Sequence, residues 1–97
     1  NLMILEIKKG EMARIERPNR IWPIISSNGE INKVVWGNIS EKKKTETPEY
    51  LFQPMVYIGM EKVKDDWMQL QLHKFFSVSG EYLYFQAEDF KHLEKIQ

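Results

Sequence analysis

Apolar and polar residues alternate along much of the chain, and this period of two is typical of strands that bury one face. The alternation is clearest over residues 54–76, where Val56, Ile58 and Met60 take every second position and a similar run follows a turn at 63–66. We therefore predict a β-hairpin over 54–76. A helix over 60–76 is the alternative, but its apolar residues would spread over roughly 240° of the helical surface, far wider than the usual stripe of about 100°.

A second hairpin is predicted over residues 20–37. The runs 20–26 and 31–37 are rich in β-branched and aromatic residues, and Asn28-Gly29 lies between them. Asn-Gly supplies the two positive-φ positions of a type I′ turn, which is the strongest short signal for a hairpin. Pro23 lacks a backbone N–H, so we expect the first of these strands to lie at a sheet edge or to carry a bulge.

Three further segments carry weaker patterns. Residues 4–8 are short and apolar-rich, which indicates a strand. Residues 11–17 fit neither period cleanly: as a strand, Met12 and Arg14 share one face, whereas a helix would separate them. Within residues 38–50, the stretch 41–49 is rich in charged side chains and has no apolar residue, and we predict an exposed charged loop over 38–50.

The last third of the chain predicts a strand followed by a helix. Residues 81–86 place Tyr82 and Tyr84 on one face, and residues 87–96 carry apolar side chains at a spacing of three, beginning with Phe90. The fold class that follows is α+β: a small, mostly antiparallel, curved sheet or partly open barrel of five to seven strands with a C-terminal helix. Because the connections are short, we expect neighbours in sequence to pair.

Composition limits this fold to one domain over residues 1–97. The chain has three Trp, five Phe and four Tyr, enough large side chains for a small core. It has no Cys, which excludes disulfides and thiolate sites, and no run approaches the roughly 20 apolar residues that span a bilayer. We see no secretory signal and expect a cytoplasmic protein.

Catalytic and cofactor signatures are missing. His73 and His92 stand without a local pattern of Asp, Glu or Cys ligands, so we predict no metal site. The serines lie in turn contexts without a Gly-x-Ser-x-Gly motif, and the glycines are isolated, which leaves no phosphate cradle. We therefore predict that the protein is not an enzyme and carries no cofactor, as expected of a small bacterial or phage accessory protein.

Binding to a macromolecule is the remaining class, and a protein is the partner we expect first. Tyrosine and tryptophan are favoured at interfaces because they present a large area with few rotatable bonds. The predicted contact residues are Trp22, Trp36, Tyr50, Tyr57, Tyr82 and Tyr84, with a charged rim of Arg14, Arg17, Arg20, Lys42, Lys43 and Lys44. An inhibitor-type or accessory role fits this set, and a homodimer through a strand edge is a further possibility.

Single-stranded nucleic acid is the alternative partner. A sheet face with Trp22 and Trp36 beside arginines would resemble the stacking platforms of single-strand binders. The formal net charge is zero, with Lys+Arg 14 and Asp+Glu 14, and nucleic-acid domains usually carry a basic excess or stripe. Exposed tryptophans next to Arg14 or Arg20 would favour nucleic acid, whereas exposed apolar area along an uncovered strand edge would favour a protein.

Overall fold

The computed structural model describes residues 6–17, 21, 23–31, 52–64 and 68–96. These residues form six strands and one short 3-10 helix, which in chain order are β1 (Met12–Ile15), β2 (Ile24–Ser26), β3 (Met55–Lys64), β4 (Gln69–Ser77), β5 (Tyr82–Phe85), the 3-10 helix (Ala87–His92) and β6 (Leu93–Ile96).

The strands make one curved antiparallel sheet in the order β2-β5-β4-β3-β1-β6. The predicted antiparallel sheet of five to seven strands is confirmed in this half-barrel. The fold is mostly β, however, so the α+β label is only loosely supported. Sequence neighbours pair only from β3 to β5, because β6 returns to β1 and β2 joins β5.

The hairpin over 54–76 is confirmed as β3 and β4, and it contains a β-bulge that the alternation does not reveal. The pairing of Tyr57 with β4 is followed by that of Gly59 with the adjacent β4 residue, so Ile58 has no cross-strand partner. Because paired residues share a face, Tyr57 lies on one face of the sheet and Val63, beyond the bulge, lies on the other. Gly59 adopts a φ of 138°, which side chains of other residues rarely tolerate.

Each face of the sheet therefore carries its own apolar core. We call the face of Tyr57 the inner face and the opposite one the outer face. The inner core is the larger and contains Ile7, Ala13, Ile15, Ile21, Met55, Tyr57, Phe75, Leu83, Phe85, Phe90 and Leu93. The outer core contains Val63, Leu72 and Tyr84, with Ile24, Ile31, Leu70 and Tyr82 packed against it. As predicted, Tyr82 and Tyr84 lie opposite Leu83 and Phe85, because successive residues of a strand alternate between faces.

The first seventeen residues depart partly from prediction. Residues 12–15 are a strand with Ala13 and Ile15 buried, so the strand alternative for 11–17 is confirmed. The strand predicted over 4–8 is wrong for residues 6–8, which belong to no strand. Ile7 inserts into the inner core instead, and a turn at 9–10 leads into β1. Residues 4 and 5 lie outside the described residues.

The turn at Asn28-Gly29 is not type I′. Gly29 has a φ of 79°, but no other residue type in the described chain has a positive φ, so Asn28 does not meet the type I′ requirement. Side chains close the turn instead: Ser26 Oγ accepts hydrogen bonds from the N–H groups of Gly29 and Glu30, both at 3.1 Å. The strand predicted over 20–26 is confirmed only for residues 24–26, which form β2 and pair with β5, whereas Ile21 and Pro23 belong to no strand. Among the described strands β2 lies at one end of the sheet. The predicted partner strand, 31–37, lies outside the described residues apart from Ile31, as does the loop 38–50.

The predicted helix over 87–96 is wrong in type and length. A 3-10 helix ends at His92, and the next four residues form β6 against β1. Short isolated helices are marginal in water, and here the open backbone groups of β1 offer the last residues a ladder of hydrogen bonds. The apolar spacing still has its predicted effect, since Phe90 and Leu93 dock in the inner core.

Candidate binding face

A row of apolar side chains crosses the outer face of the sheet. The register aligns Ile96, Met12, Val56, Phe76 and Tyr82 on adjacent strands, and we call these five residues the apolar row. At about 4.8 Å per strand the row is about 19 Å long. Met12 is 38% exposed and Phe76 is 36% exposed, while the other three are half-buried. Phe76 and Tyr82 form an aromatic pair with ring centroids 4.9 Å apart.

A polar network closes one flank of the apolar row. The Lys74 ammonium and the Tyr84 hydroxyl both donate to the carbonyl oxygen of Gly29, each at 2.8 Å. The ammonium also lies 4.8 Å from the centre of the Tyr82 ring and 3.6 Å from a Glu61 carboxylate oxygen. Burial, together with the negative charge of Glu61, raises the pKa of the Tyr84 phenol, which therefore stays protonated at neutral pH. The turn after β2 is thereby fixed to the outer face.

A cleft of about 450 Å³ borders the other flank of the apolar row, and we call it the arginine cleft. Arg14 forms an ion pair with Glu94, and the Arg17 guanidinium lies 4.2 Å above the ring of Phe52. Glu16 also lines the cleft, so its two arginines are matched by two glutamates. Arg14 is two residues from Met12 on the same strand face, so the cleft and the apolar row form one continuous surface.

The inner face contains a tyrosine–histidine pair in which Tyr57 is buried and His73 is half-buried. Tyr57 Oη lies 2.6 Å from His73 Nδ1, and the Phe90 ring lies over the imidazole with centroids 4.5 Å apart. Burial lowers the pKa of His73 below its usual 6.5 and raises the pKa of the Tyr57 phenol. The neutral form of both groups is therefore favoured at pH 7, and the half-buried His73 keeps part of its surface in solvent.

The predicted site residues are distributed unevenly. Tyr57 and Tyr84 are buried in the inner and outer cores, at 8% and 1% exposed, so we do not include them in the binding face. Tyr82 lies in the apolar row, and Arg14 and Arg17 meet in the arginine cleft. Outside the described residues are Trp22, Trp36, Tyr50, Arg20, Lys42, Lys43 and Lys44. Contact with a partner stays a prediction for every residue of the set.

The sequence does not indicate most of the apolar row. Met12, Val56 and Phe76 have ordinary positions in alternating segments, and only the strand order brings them into line. One signal was present: two adjacent phenylalanines in a strand must point to opposite faces, so either Phe75 or Phe76 had to leave the inner core.

Other chemistry finds no support among the described residues. They hold no group of three or more His, Cys, Asp or Glu side chains placed to bind a metal ion. In the same part of the chain, no helix has the length and apolar character needed to cross a membrane. Comparison with known proteins found no matching family model, curated protein or solved structure.

Proposed function

We propose that this chain is a small binding module without catalytic activity, and that it contacts another protein through the apolar row. The observation that carries this proposal is the alignment of five apolar side chains across five strands on a partly exposed face. Isolated exposed apolar residues are ordinary, whereas a contiguous apolar patch with a polar border is typical of an interaction site. The polar border consists of the arginine cleft on one flank and, on the other, the polar network that Lys74 and Tyr84 form with the Gly29 carbonyl.

The charges around this face favour a protein over a nucleic acid. Nucleic-acid affinity comes largely from cations that neutralise phosphates. Here Arg14, Lys74 and Lys95 each lie in an ion pair with a glutamate, and the arginine cleft has as many glutamates as arginines. A phosphate backbone would have to displace these carboxylates, whereas an apolar protein surface flanked by polar groups would not.

Capture from a lysate of the source organism tests the proposal, provided that matched variants are compared. Met12→Gln combined with Phe76→Gln makes the apolar row polar. The control is Met68→Gln, because Met68 is 61% exposed and lies before the start of β4, away from the row. We expect wild type and control to retain the same partner, and the double variant to retain at least tenfold less, since losing a central apolar contact costs more than about 1 kcal/mol.

A partner held equally by all three chains would overturn this role of the apolar row. The circular dichroism spectrum and the thermal midpoint of each variant are measured first, so that loss of capture is not confused with loss of fold.

The nucleic-acid alternative has its own test. Labelled single-stranded DNA and RNA are titrated with the protein, and fluorescence anisotropy is followed at two salt concentrations. We expect no change at tens of micromolar protein. Tight binding that weakens steeply with added salt would favour the alternative, because released counterions produce that dependence.

A further inference from the structure

We propose that protonation of His73 releases residues 86–96, the C-terminal segment, from the sheet. His73 lies where β3, β4, β5 and the 3-10 helix meet. Its imidazole contacts the Tyr57 hydroxyl and the Phe90 ring, and its cross-strand neighbours are Met60 and Phe85. Of these four residues only Tyr57 titrates. The charged groups on the elements packed here are Lys62, on the same face of β3, and Glu88, Asp89, Lys91 and His92 of the 3-10 helix. The Asp89 carboxylate accepts a hydrogen bond from the Gln86 N–H at 3.0 Å, and burial is what lowers the pKa of His73.

The proposal assigns the hydrogen of the neutral His73 ring to Nε2, and for that tautomer adding a proton reverses the hydrogen bond with Tyr57. In the neutral ring with hydrogen on Nε2, Nδ1 accepts the hydroxyl hydrogen of Tyr57 across 2.6 Å. In the imidazolium both ring nitrogens donate, so the Tyr57 hydrogen must turn towards another acceptor within an apolar core. The tyrosine stays protonated in this pH range because burial raises its pKa, so it cannot become an anionic partner.

Among the described elements, the C-terminal segment should be destabilised most by protonation of His73. Phe90 is the buried side chain of the 3-10 helix, and it rests on His73 and, in an edge-on contact at 6.2 Å, on Tyr57. The helix is only six residues long. Within the described chain β6 is an edge strand of four residues that pairs with β1 alone. Segments with few tertiary contacts open before the rest of a protein.

Release would also change the binding face. β6 supplies Ile96 to the apolar row and Glu94 to the ion pair with Arg14. Acid would therefore shorten the apolar row and free the Arg14 guanidinium. This last consequence rests on the proposed function, whereas the release of the segment does not.

Hydrogen exchange of the backbone amides tests the release directly. Protection factors, corrected for the intrinsic pH dependence of exchange, are measured at pH 7.5 and pH 5 for the wild-type chain. We expect protection in Leu93–Ile96 to fall at least threefold more than in the central strand β4. The midpoint of this loss should coincide with the titration of the His73 ring, followed by NMR in the same sample.

Two variants separate His73 from the other titrating groups. His73→Gln keeps a hydrogen-bonding side chain that does not titrate, and we expect it to show no selective loss at pH 5. His92→Gln, in the last turn of the 3-10 helix, should behave as wild type. Uniform protection at both pH values in the wild type, or a loss that persists in His73→Gln, would overturn the proposal. If His73→Gln does not fold, the wild type alone decides. The proposal then requires the midpoint of the protection loss to equal the midpoint of the His73 titration, and different midpoints reject the proposal.

Discussion

Replacing Tyr84 with phenylalanine removes one of the two donors that meet the carbonyl oxygen of Gly29. The tyrosine is 1% exposed, and its hydroxyl donates to this oxygen at 2.8 Å. Lys74 Nζ donates to the same oxygen at 2.8 Å, so the carbonyl keeps a partner in the variant. We therefore expect Tyr84→Phe to cost about 1 kcal/mol of unfolding free energy, the usual net value of one hydrogen bond.

Removing the Lys74 donor alone should lower the free energy of unfolding by more than Tyr84→Phe does. Lys74→Met preserves the length of the side chain but removes a charged donor, its ion pair with Glu61 and its contact with the Tyr82 ring. A hydrogen bond to a charged group contributes about 1.5–3 kcal/mol, and we expect a loss of about 2 kcal/mol. In this variant the Tyr84 hydroxyl still satisfies the carbonyl oxygen.

The double variant distinguishes a shared acceptor from two independent contacts. With both donors gone, the buried carbonyl oxygen loses both partners, and an unsatisfied acceptor costs about a further 1–3 kcal/mol. We expect the combined loss to exceed the sum of the single losses by at least about 1 kcal/mol. The free energies of unfolding of the wild type, the two single variants and the double variant are measured by urea denaturation at 25 °C. Equal m-values among the four chains are required for the comparison.

The neighbouring Tyr82→Phe serves as the control for loss of a phenolic hydroxyl, and it should change stability by less than about 0.5 kcal/mol. Losses that add within about 0.5 kcal/mol in the double variant would refute the reasoning, because they would show that the Gly29 oxygen does not depend on these two donors.

Three further perturbations test other parts of the fold. Gly59→Ala should cost about 1–3 kcal/mol in urea denaturation and more than Gly80→Ala, because a φ of 138° lies farther from the left-handed region than a φ of 90°. Because burial lowers the pKa of His73, the folded chain takes up this proton less readily than the unfolded chain. The contribution of His73 to the free energy of unfolding should therefore be fully present above a pH of about 6.5 and be lost as the pH falls through the lowered pKa. In His73→Gln, the thermal midpoint should change less between pH 7.5 and pH 5 than in the wild type. Arg14→Gln breaks an exposed ion pair and should lower the free energy of unfolding by less than about 1 kcal/mol, so the thermal midpoint should change little.

The antiparallel sheet could be predicted from the sequence because its signals are local. The period of two over 54–76 gives β3 and β4, and the alternation at 81–86 assigns the two faces of β5. Local propensity failed where a distant strand offered an alternative. Residues 93–96 have a helical spacing, but β1 lies beside them in the fold and pairs with all four. Pairing between the two ends of a chain leaves no mark in a single sequence.

The candidate site was harder to predict because it depends on register. The prediction of tyrosine contacts rests on residue type alone, and the structure buries Tyr57 and Tyr84. Met12 and Val56 gain their role only because β1 and β3 pair with these two residues opposite each other. The bulge at Ile58 then exchanges the faces of the residues that follow it, which a simple alternation cannot anticipate.

Mapping the surface of this chain that the first captured partner covers tests the central claim most directly. Backbone amide exchange is measured for the free chain and for the complex under the same conditions. We predict that the partner adds protection at the start of β1, the first residues of β3, the end of β4, the start of β5 and the end of β6, which together carry the apolar row. Added protection confined to other parts of the chain, with these five stretches unchanged, would contradict the assignment of the apolar row as the binding face.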